Sequence, residues 1–411
     1  MNSTLIGRAV RRVTPAPLRR IFSGFWMTPI LLGAMGLGAA FGLNVVPEQA
    51  RWLGGLLGPL DEDGARAALS AVAGAVISVF SIVLSLTFVA LSLTAQQLSP
   101  RMLDFVLRET IVQVLTGATL ATFLFCAASL SFGGGETWRL GLATPVALTL
   151  ATLTLGVVVA FAHRMTEVMR PDEMVARRGD ALRGALAAEL KPGARRSRAA
   201  APPADPADRL LLSPFSGYVG LIDEAALVAI AKRRGGVLAL AAAPGAFLLA
   251  DEPLARLVGA GPAPLDAADD EALAVARAMG LSNRTETGTG ALYEARALAE
   301  GGIRALSPGV NDPGTAIACI NRLMDAAARL ATGDPAPNAR ADGDGALRLV
   351  LRPLEMALLA DRALVPLAWH SRGDSEVRAH YRRVAEAVRE RAGPRDRPAL
   401  DLVIETLDAP D

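Results

Sequence analysis

Four apolar runs, each long enough to cross a bilayer, fill most of the first half of the chain. They are Phe25 to Val46, Leu69 to about Ala95, Ile111 to Phe132, and Leu142 to Ala162. A crossing helix needs about 20 predominantly apolar residues. None of the four runs holds an Asp, Glu, Lys or Arg between its ends. In hydrocarbon a backbone must satisfy its own polar groups, so each run reads as a helix rather than a strand. The first is too long for a cleaved signal peptide and reads as a signal anchor. Of the 411 residues 52% are apolar, and the excess lies before His163.

Arginines set the expected orientation. Arg8, Arg11, Arg12, Arg19 and Arg20 precede the first run, and Arg164, Arg170, Arg177 and Arg178 follow the fourth. The first loop is acidic, with Glu48, Asp61, Glu62 and Asp63 against Arg51 and Arg66. The positive-inside rule then places both termini in the cytoplasm. Trp26, Trp52 and Trp138 lie near expected helix ends, where interfacial anchors sit.

The second run carries a polar stripe. Ser78, Ser81, Ser85, Ser92, Gln96 and Ser99 follow one another in steps of three, four, seven, four and three. At about 100° per residue they fall in one narrow arc of a helix. Small hydroxyl residues suit close helix packing; the same arc also suits the wall of a water-filled pathway. No ring of charge accompanies it, so no ion preference is legible.

Beyond the membrane runs, Pro171 ends or kinks the fourth helix, and a new helix starts with Asp172 and Glu173. Lys191 to Asp208 reads as a solvated Pro/Ala/Arg linker. The expected organisation is a basic arm (1–24), a four-helix transmembrane domain (25–163), a juxtamembrane helix with linker (164–209), a small β-rich domain (210–262) and a mostly helical cytosolic domain (263–411). Within the β-rich part, G-G-V-L-A-L-A-A-A-P-G-A-F-L-L-A predicts two strands joined by a Pro-Gly turn. Its S-G-Y-V and P-G-x-F phrases loosely resemble half-motifs of a lipoyl-like barrel sandwich, without the attachment lysine. A polar loop is expected over 333–345, followed by a strand in A-L-R-L-V-L-R.

Several function classes find no support in the sequence. Net charge is +1, so no global basic field points to nucleic acid. Cys126 and Cys319 are far apart in sequence, and His163, His370 and His380 are scattered. No zinc-type spacing, H-E-x-x-H or phosphate-binding loop is present, so no metal or cofactor is expected.

The stretch R-A-L-S-P-G-V-N-D-P-G-T, residues 304–315, looks more like a site. Asp312 before Pro313 is a natural cap for a helix starting at Pro313, reaching the amide of Gly314 or Thr315. Ser307-Pro308-Gly309 is a turn. This makes a rigid corner without chemistry. Alternatively, Arg304, Ser307, Asn311 and Asp312 line a ligand site. A nucleophilic Ser307 needs a base, and neither His370 nor His380 carries a partnering motif.

L-T-A-Q-Q-L-S-P-R-M-L-D-F-V-L-R-E-T at 93–110, S-G-Y-V-G-L-I-D at 216–223 and I-R-A-L-S-P-G-V-N-D-P-G-T-A-I at 303–317 matter together. With four N-terminal helices, they resemble the domain of unknown function 2254 family of bacterial membrane proteins, over nearly the whole chain. The chain departs from that pattern at Tyr293-Glu294, where an aromatic-Gly pair is usual, and at Gly314, where a bulkier residue is. The resemblance implies a membrane location and an architecture but no activity. Arg101, Asp104 and Arg108, just after the second run, are candidates for a joint between membrane and cytosol.

Three functional readings follow. The first is a homo-oligomeric channel or transport-like protein with a cytosolic regulatory domain. The second is a membrane-anchored binding or scaffold protein without a pore. The third, and weakest, is an enzyme at the 304–315 corner.

Overall fold

The computed structural model describes residues 26–46, 62–97, 109–132, 137–190, 196–197, 205, 208–259, 267–283, 290–332, 338–352 and 354–410. The chain divides into two compact units, the first closing at Arg170 and the second beginning at Pro171.

The first unit contains α1 (Met27–Asn44), α2 (Glu62–Gln97), α3 (Thr110–Phe132) and α4 (Thr137–Val168). Among the described residues, three stretches are long and apolar enough to cross a membrane: Glu62–Ser92, Thr110–Phe132 and Arg139–Val168. The first run, 22 residues from Phe25 to Val46, gives a shorter helix than its length allows. Helix α1 has 18 residues, about 27 Å at 1.5 Å per residue, at the lower edge for a hydrocarbon core of about 30 Å. Helix α2 begins at Glu62, seven residues before the apolar run. Glu62 and Asp63 occupy its first turn, where carboxylates suit the helix dipole, and Arg66 pairs with Glu62 at 2.8 Å.

Size rather than polarity sorts the side chains of this unit. Helix α1 buries Pro29, Gly33, Gly36 and Ala40. It exposes Met27, Ile30, Leu31, Met35 and Phe41. A helix in water would turn the large apolar residues inward; lipid gives them no reason to hide, and packing selects small ones instead. The contact is backbone to backbone. A Cβ on Gly36 would be driven into the Ala121 carbonyl, and one on Gly117 would meet Leu32 Cδ1 at 2.6 Å. Gly36 with Ala40, and Gly117 with Ala121, are two small-xxx-small pairs facing each other. Helices α3 and α4 are joined by a buried Thr122–Thr154 hydroxyl bond of 2.9 Å. Phe125, Cys126, Leu140 and Ala143 complete the core together with Ala65 and Leu69 of α2.

The second unit opens with α5 (Pro171–Leu190), Pro171 taking the first helical position. Its six-stranded sheet has the order β1-β7-β8-β4-β6-β2. The strands are β1 (Arg196–Ser197), β2 (Arg209–Leu212), β4 (Val237–Leu240), β6 (Pro253–Val258), β7 (Ala339–Ala341) and β8 (Leu347–Val350). A separate pair is formed by β3 (Gly217–Tyr218) and β5 (Phe247–Leu248). All pairings are antiparallel except β4 with β8. Helices α6 (Glu224–Arg233) and α7 (Ala267–Ala278) contribute Leu227, Ile230, Val275 and Ala276 to the core of this sheet. The helical remainder is α8 (Ala291–Ala305), α9 (Pro313–Thr332), α10 (Met356–Leu359), a π-turn (Ala360–Leu364), α11 (Val365–Ser371), α12 (Ser375–Arg391) and α13 (Arg397–Asp408).

Several local expectations are replaced. The Pro-Gly turn does not close a hairpin: β4 pairs with β6 and β8, whereas β5 pairs with β3. Strand β4 is buried and takes central partners, leaving β5 to a different sheet. The sheet is open, not a barrel sandwich, and draws two strands from 339–350. The polar loop expected over 333–345 contains β7, which forms a hairpin with β8. That turn is built by Asp342, whose Oδ1 accepts from the amides of Asp344 and Ala346, with Gly345 at φ 82°. Within the linker, Arg196 and Ser197 pair with Arg340 and Ala339 as an end strand.

The α1–α3 contact gives a paired test. Gly36→Val should lose folded protein in detergent, because overpacking against backbone costs about 1–3 kcal/mol or more. Gly38→Ala, with nothing within 4 Å of the added methyl, should unfold at the same temperature as the native chain. Equal thermal midpoints for both variants would contradict the close approach.

Candidate functional site

Among the described residues, helix α2 is buried only in its first half, at Ala65, Leu69 and Val76. Ala65 and Leu69 are fully buried, and no residue from Ile77 to Ser92 is. Within its most apolar window 6% of residues are buried, against 44% in α3. Ser78, Ser81, Ser85 and Ser92 lie on this bare stretch and are exposed. Ser81 donates to the Ile77 carbonyl at 2.8 Å and Thr87 to that of Val83 at 2.7 Å. Ser78, Ser85 and Ser92 find no acceptor among the described residues. Gln96 falls in the last turn of α2; its side chain, and Ser99, Arg101, Asp104 and Arg108, lie outside the described residues.

The 304–315 corner is closed by its own hydrogen bonds. The Ser307 hydroxyl donates to the Arg304 carbonyl at 2.7 Å. The Ser307 carbonyl accepts from the amides of Val310 and Asn311, and the Asp312 amide donates back to Ala305 at 2.8 Å. Asn311 turns the chain at φ 49°, a left-handed position that asparagine tolerates. Asp312 then caps α9: Oδ1 accepts from the Thr315 amide at 3.1 Å, and Oδ2 from the Thr315 hydroxyl at 2.5 Å. The carboxylate thus occupies the helix end where an anion could bind. Arg304 is exposed. So the corner brings Ser307, Asn311 and Asp312 together as a turn.

Neither histidine serves Ser307. His370 Nδ1 lies 2.8 Å from the Pro366 carbonyl, and His380 lies between Asn321 Oδ1 and Arg383. Burial first, then the Arg383 charge, pushes His380 below the usual histidine range, against the pull of Glu376. Cys319 is buried, and its thiol is pushed up to about 12, by burial first and then by the Asp312 carboxylate. A thiol held that high is inert as a nucleophile at neutral pH.

The charged contacts that the sequence did not single out link α5 to α8 and α9. Arg178 is 6% exposed and pairs with Glu294 at 2.8 Å, with the Tyr293 ring 5.9 Å away. Arg183 reaches Asp325 at 3.3 Å. Gly179 gives room to the Arg322 side chain, 2.5 Å from where a Cβ would stand. Glu189, in the last turn of α5, accepts from the Ala291 amide at 2.9 Å. It thereby caps α8, whose own cap residue is Gly290 at φ 138°. Burial raises the Glu189 carboxyl above its ordinary range, and the Ala291 amide partly offsets this. A signal existed: Arg178 interrupts the apolar series Met174, Leu182 and Leu186 of α5, all buried.

The fold and these contacts define an apolar-helix membrane protein with a second unit of mixed sheet and helices. The family described as "Predicted membrane protein (DUF2254)" matches residues 23–387, and the chain belongs to it. Uncharacterized proteins of Mycobacterium bovis and Mycobacterium tuberculosis are 26% identical over 333 residues, covering 78% of this chain. The match spans 63% of the length of those relatives. No solved structure is a significant match.

Two measurements follow. Asp312→Asn should be near neutral, since asparagine caps well, while Asp312→Ala should cost about 1 kcal/mol in unfolding free energy. Glu189 has a raised folded pKa, so its ionisation opposes folding: its contribution is fully present below the unfolded value and lost as pH rises through the folded one. Glu189→Gln keeps an oxygen acceptor for Ala291 without the buried charge. It should unfold at a higher temperature than the native chain near pH 7, with the two converging at about pH 4. A constant offset between the two across that range would refute the assignment.

Proposed function

We propose that this is a multi-pass bacterial inner-membrane protein with four crossings and both termini in the cytoplasm. In this reading copies assemble around α2 to form a channel or transport-like pathway, and the second unit is a cytosolic regulatory part. The observation that carries it is the bare length of α2. Ser78, Ser85 and Ser92 stand seven residues apart on one line of an exposed helix, and their hydroxyls have no acceptor among the described residues. In hydrocarbon such groups need water or a neighbouring helix. An axis lined by α2 from several copies would supply water. The arginines before α1 and after α4 support the orientation, and Trp26, 59% exposed at the start of α1, suits an interfacial anchor.

A scaffold without a pore is the second reading. Its support is Ser81, which bonds its own helix, and the heptad spacing, which fits close packing of α2 against another helix.

Ser85→Leu and Ser92→Leu separate the readings. A pathway predicts that solute flux through reconstituted protein falls at least roughly tenfold while the assembly and its unfolding temperature persist. Packing predicts that the assembly itself is lost. Native protein that stays silent in liposomes across ions, small solutes and membrane tension would remove the pathway.

A further inference from the structure

Arg322 of α9 is half-buried, and among the described residues its guanidinium has no hydrogen bond, ion pair or ring partner. Every other buried or half-buried arginine among those residues has a polar, charged or ring partner. Arg378 and Arg391, whose guanidinium groups also lack one, stand exposed on α12 and leave their charge to water. Arg322 gives up much of that water, and a guanidinium withdrawn from water without an anion is costly.

The position of Arg322 is set by α5. Gly179 is buried, and a Cβ there would stand 2.5 Å from Arg322 Cδ and 3.0 Å from its Nε. Glycine weakens a helix interior; here it leaves the space in which the arginine stem lies. One turn further along both helices, Arg183 reaches Asp325 at 3.3 Å. Arg329 takes the same Asp325 oxygen at 3.2 Å. Asp180, largely exposed, is 3.7 Å from Arg183. Arg183, Arg322 and Arg329 thus border only Asp180 and Asp325 on this seam, and the unmatched charge is that of Arg322. Arg178, next to Gly179, is already matched by Glu294.

We propose that Arg322, with Arg183 one turn away, binds a phosphate group carried by a soluble metabolite or a lipid headgroup. The planar guanidinium fork matches two oxygens of such a group. A carboxylate would be filled by that fork alone, whereas a phosphate keeps a further oxygen for Arg183. Arg183 is held loosely enough to supply it. Its contact with Asp325 is 3.3 Å and its side chain is 43% exposed. It can turn a donor to the anion while Asp325 keeps Arg329. The site lies within the second unit and does not rest on the α2 pathway, so either can fail alone.

Thermal unfolding of the full-length protein in detergent tests the site, with inorganic phosphate compared with chloride at matched ionic strength. The native midpoint should rise with phosphate and saturate. Phosphate also stabilises proteins in general, by exclusion from their surface, so the saturable rise must depend on Arg322. Arg322→Gln should bind at least about tenfold more weakly, while Arg391→Gln should bind as the native chain does. Gly179→Ala keeps every charge but sets a methyl where the Arg322 stem lies, and it should also bind more weakly; it carries the test if Arg322→Gln does not fold. Glycerol phosphate and a short-chain phosphatidic acid separate the two sources. A rise with both, lost in Arg322→Gln, assigns a soluble phosphate ligand, and a rise with phosphatidic acid alone assigns a lipid headgroup. Native protein that responds to none of the three probes overturns the site. So does an equal response in the native and Arg322→Gln chains, or an unaltered affinity in Gly179→Ala.

Discussion

The first unit depends on how closely two backbones approach at Gly36 and Ala121. Neither residue brings a side chain to the contact that could hold it by hydrophobicity, and lipid supplies no hydrophobic force between helices. What remains is van der Waals contact, which falls steeply with distance. The glycines at 33, 36 and 117 allow that contact, and the large residues of α1 are displaced outward as a consequence. The outward face of Ile30, Leu31, Met35 and Phe41 is therefore the complement of a tight inner seam.

The same solvent governs the hydroxyls. Thr116, Thr144, Thr149 and Thr152 each donate to the carbonyl four residues earlier, and in the Thr122–Thr154 pair one hydroxyl does so while the other donates to its partner. A hydroxyl satisfied in this way can face lipid or a packed helix at little cost. Ser78, Ser85 and Ser92 are not satisfied so, and they occur on the helix with least cover. Thus α2 combines an unpacked length with unmet polar groups along one line. Either feature alone has an ordinary explanation; together they call for a neighbour or water along that line.

Legibility followed the strength of local signals. The start of the helix at Pro313 is evident because aspartate before proline is a helix-start signal. The apolar runs were evident from length and lack of charge. The strands were less so: β4 and β5 are separated by a Pro-Gly step that resembles a hairpin, and their true partners are distant in sequence. Strand β7 was hidden in a polar stretch, since Ala339 and Arg340 carry no alternating pattern. In the corner, Asp312 was legible from its position alone. The role of Ser307 was not, because whether a hydroxyl bonds its own turn or faces a ligand depends on angles that residue identity does not fix.

Helix α5 shows why a buried charge can matter without adding much stability. Arg178 and Glu294 lose hydration on burial, and their attraction at 2.8 Å largely offsets that loss. Separating them is another matter, because Glu294 would be left as a largely buried carboxylate without its cation, at a cost of about 3–5 kcal/mol. Glu189 adds a second condition from the far end of the same helix, since α8 begins at a glycine and takes its cap from α5. Displacing α5 along its axis would thus expose two penalties at once, an uncapped helix and a broken ion pair. Glu294 answers Arg178, and the two positions should vary together among relatives: where an uncharged residue replaces Glu294, one should also replace Arg178.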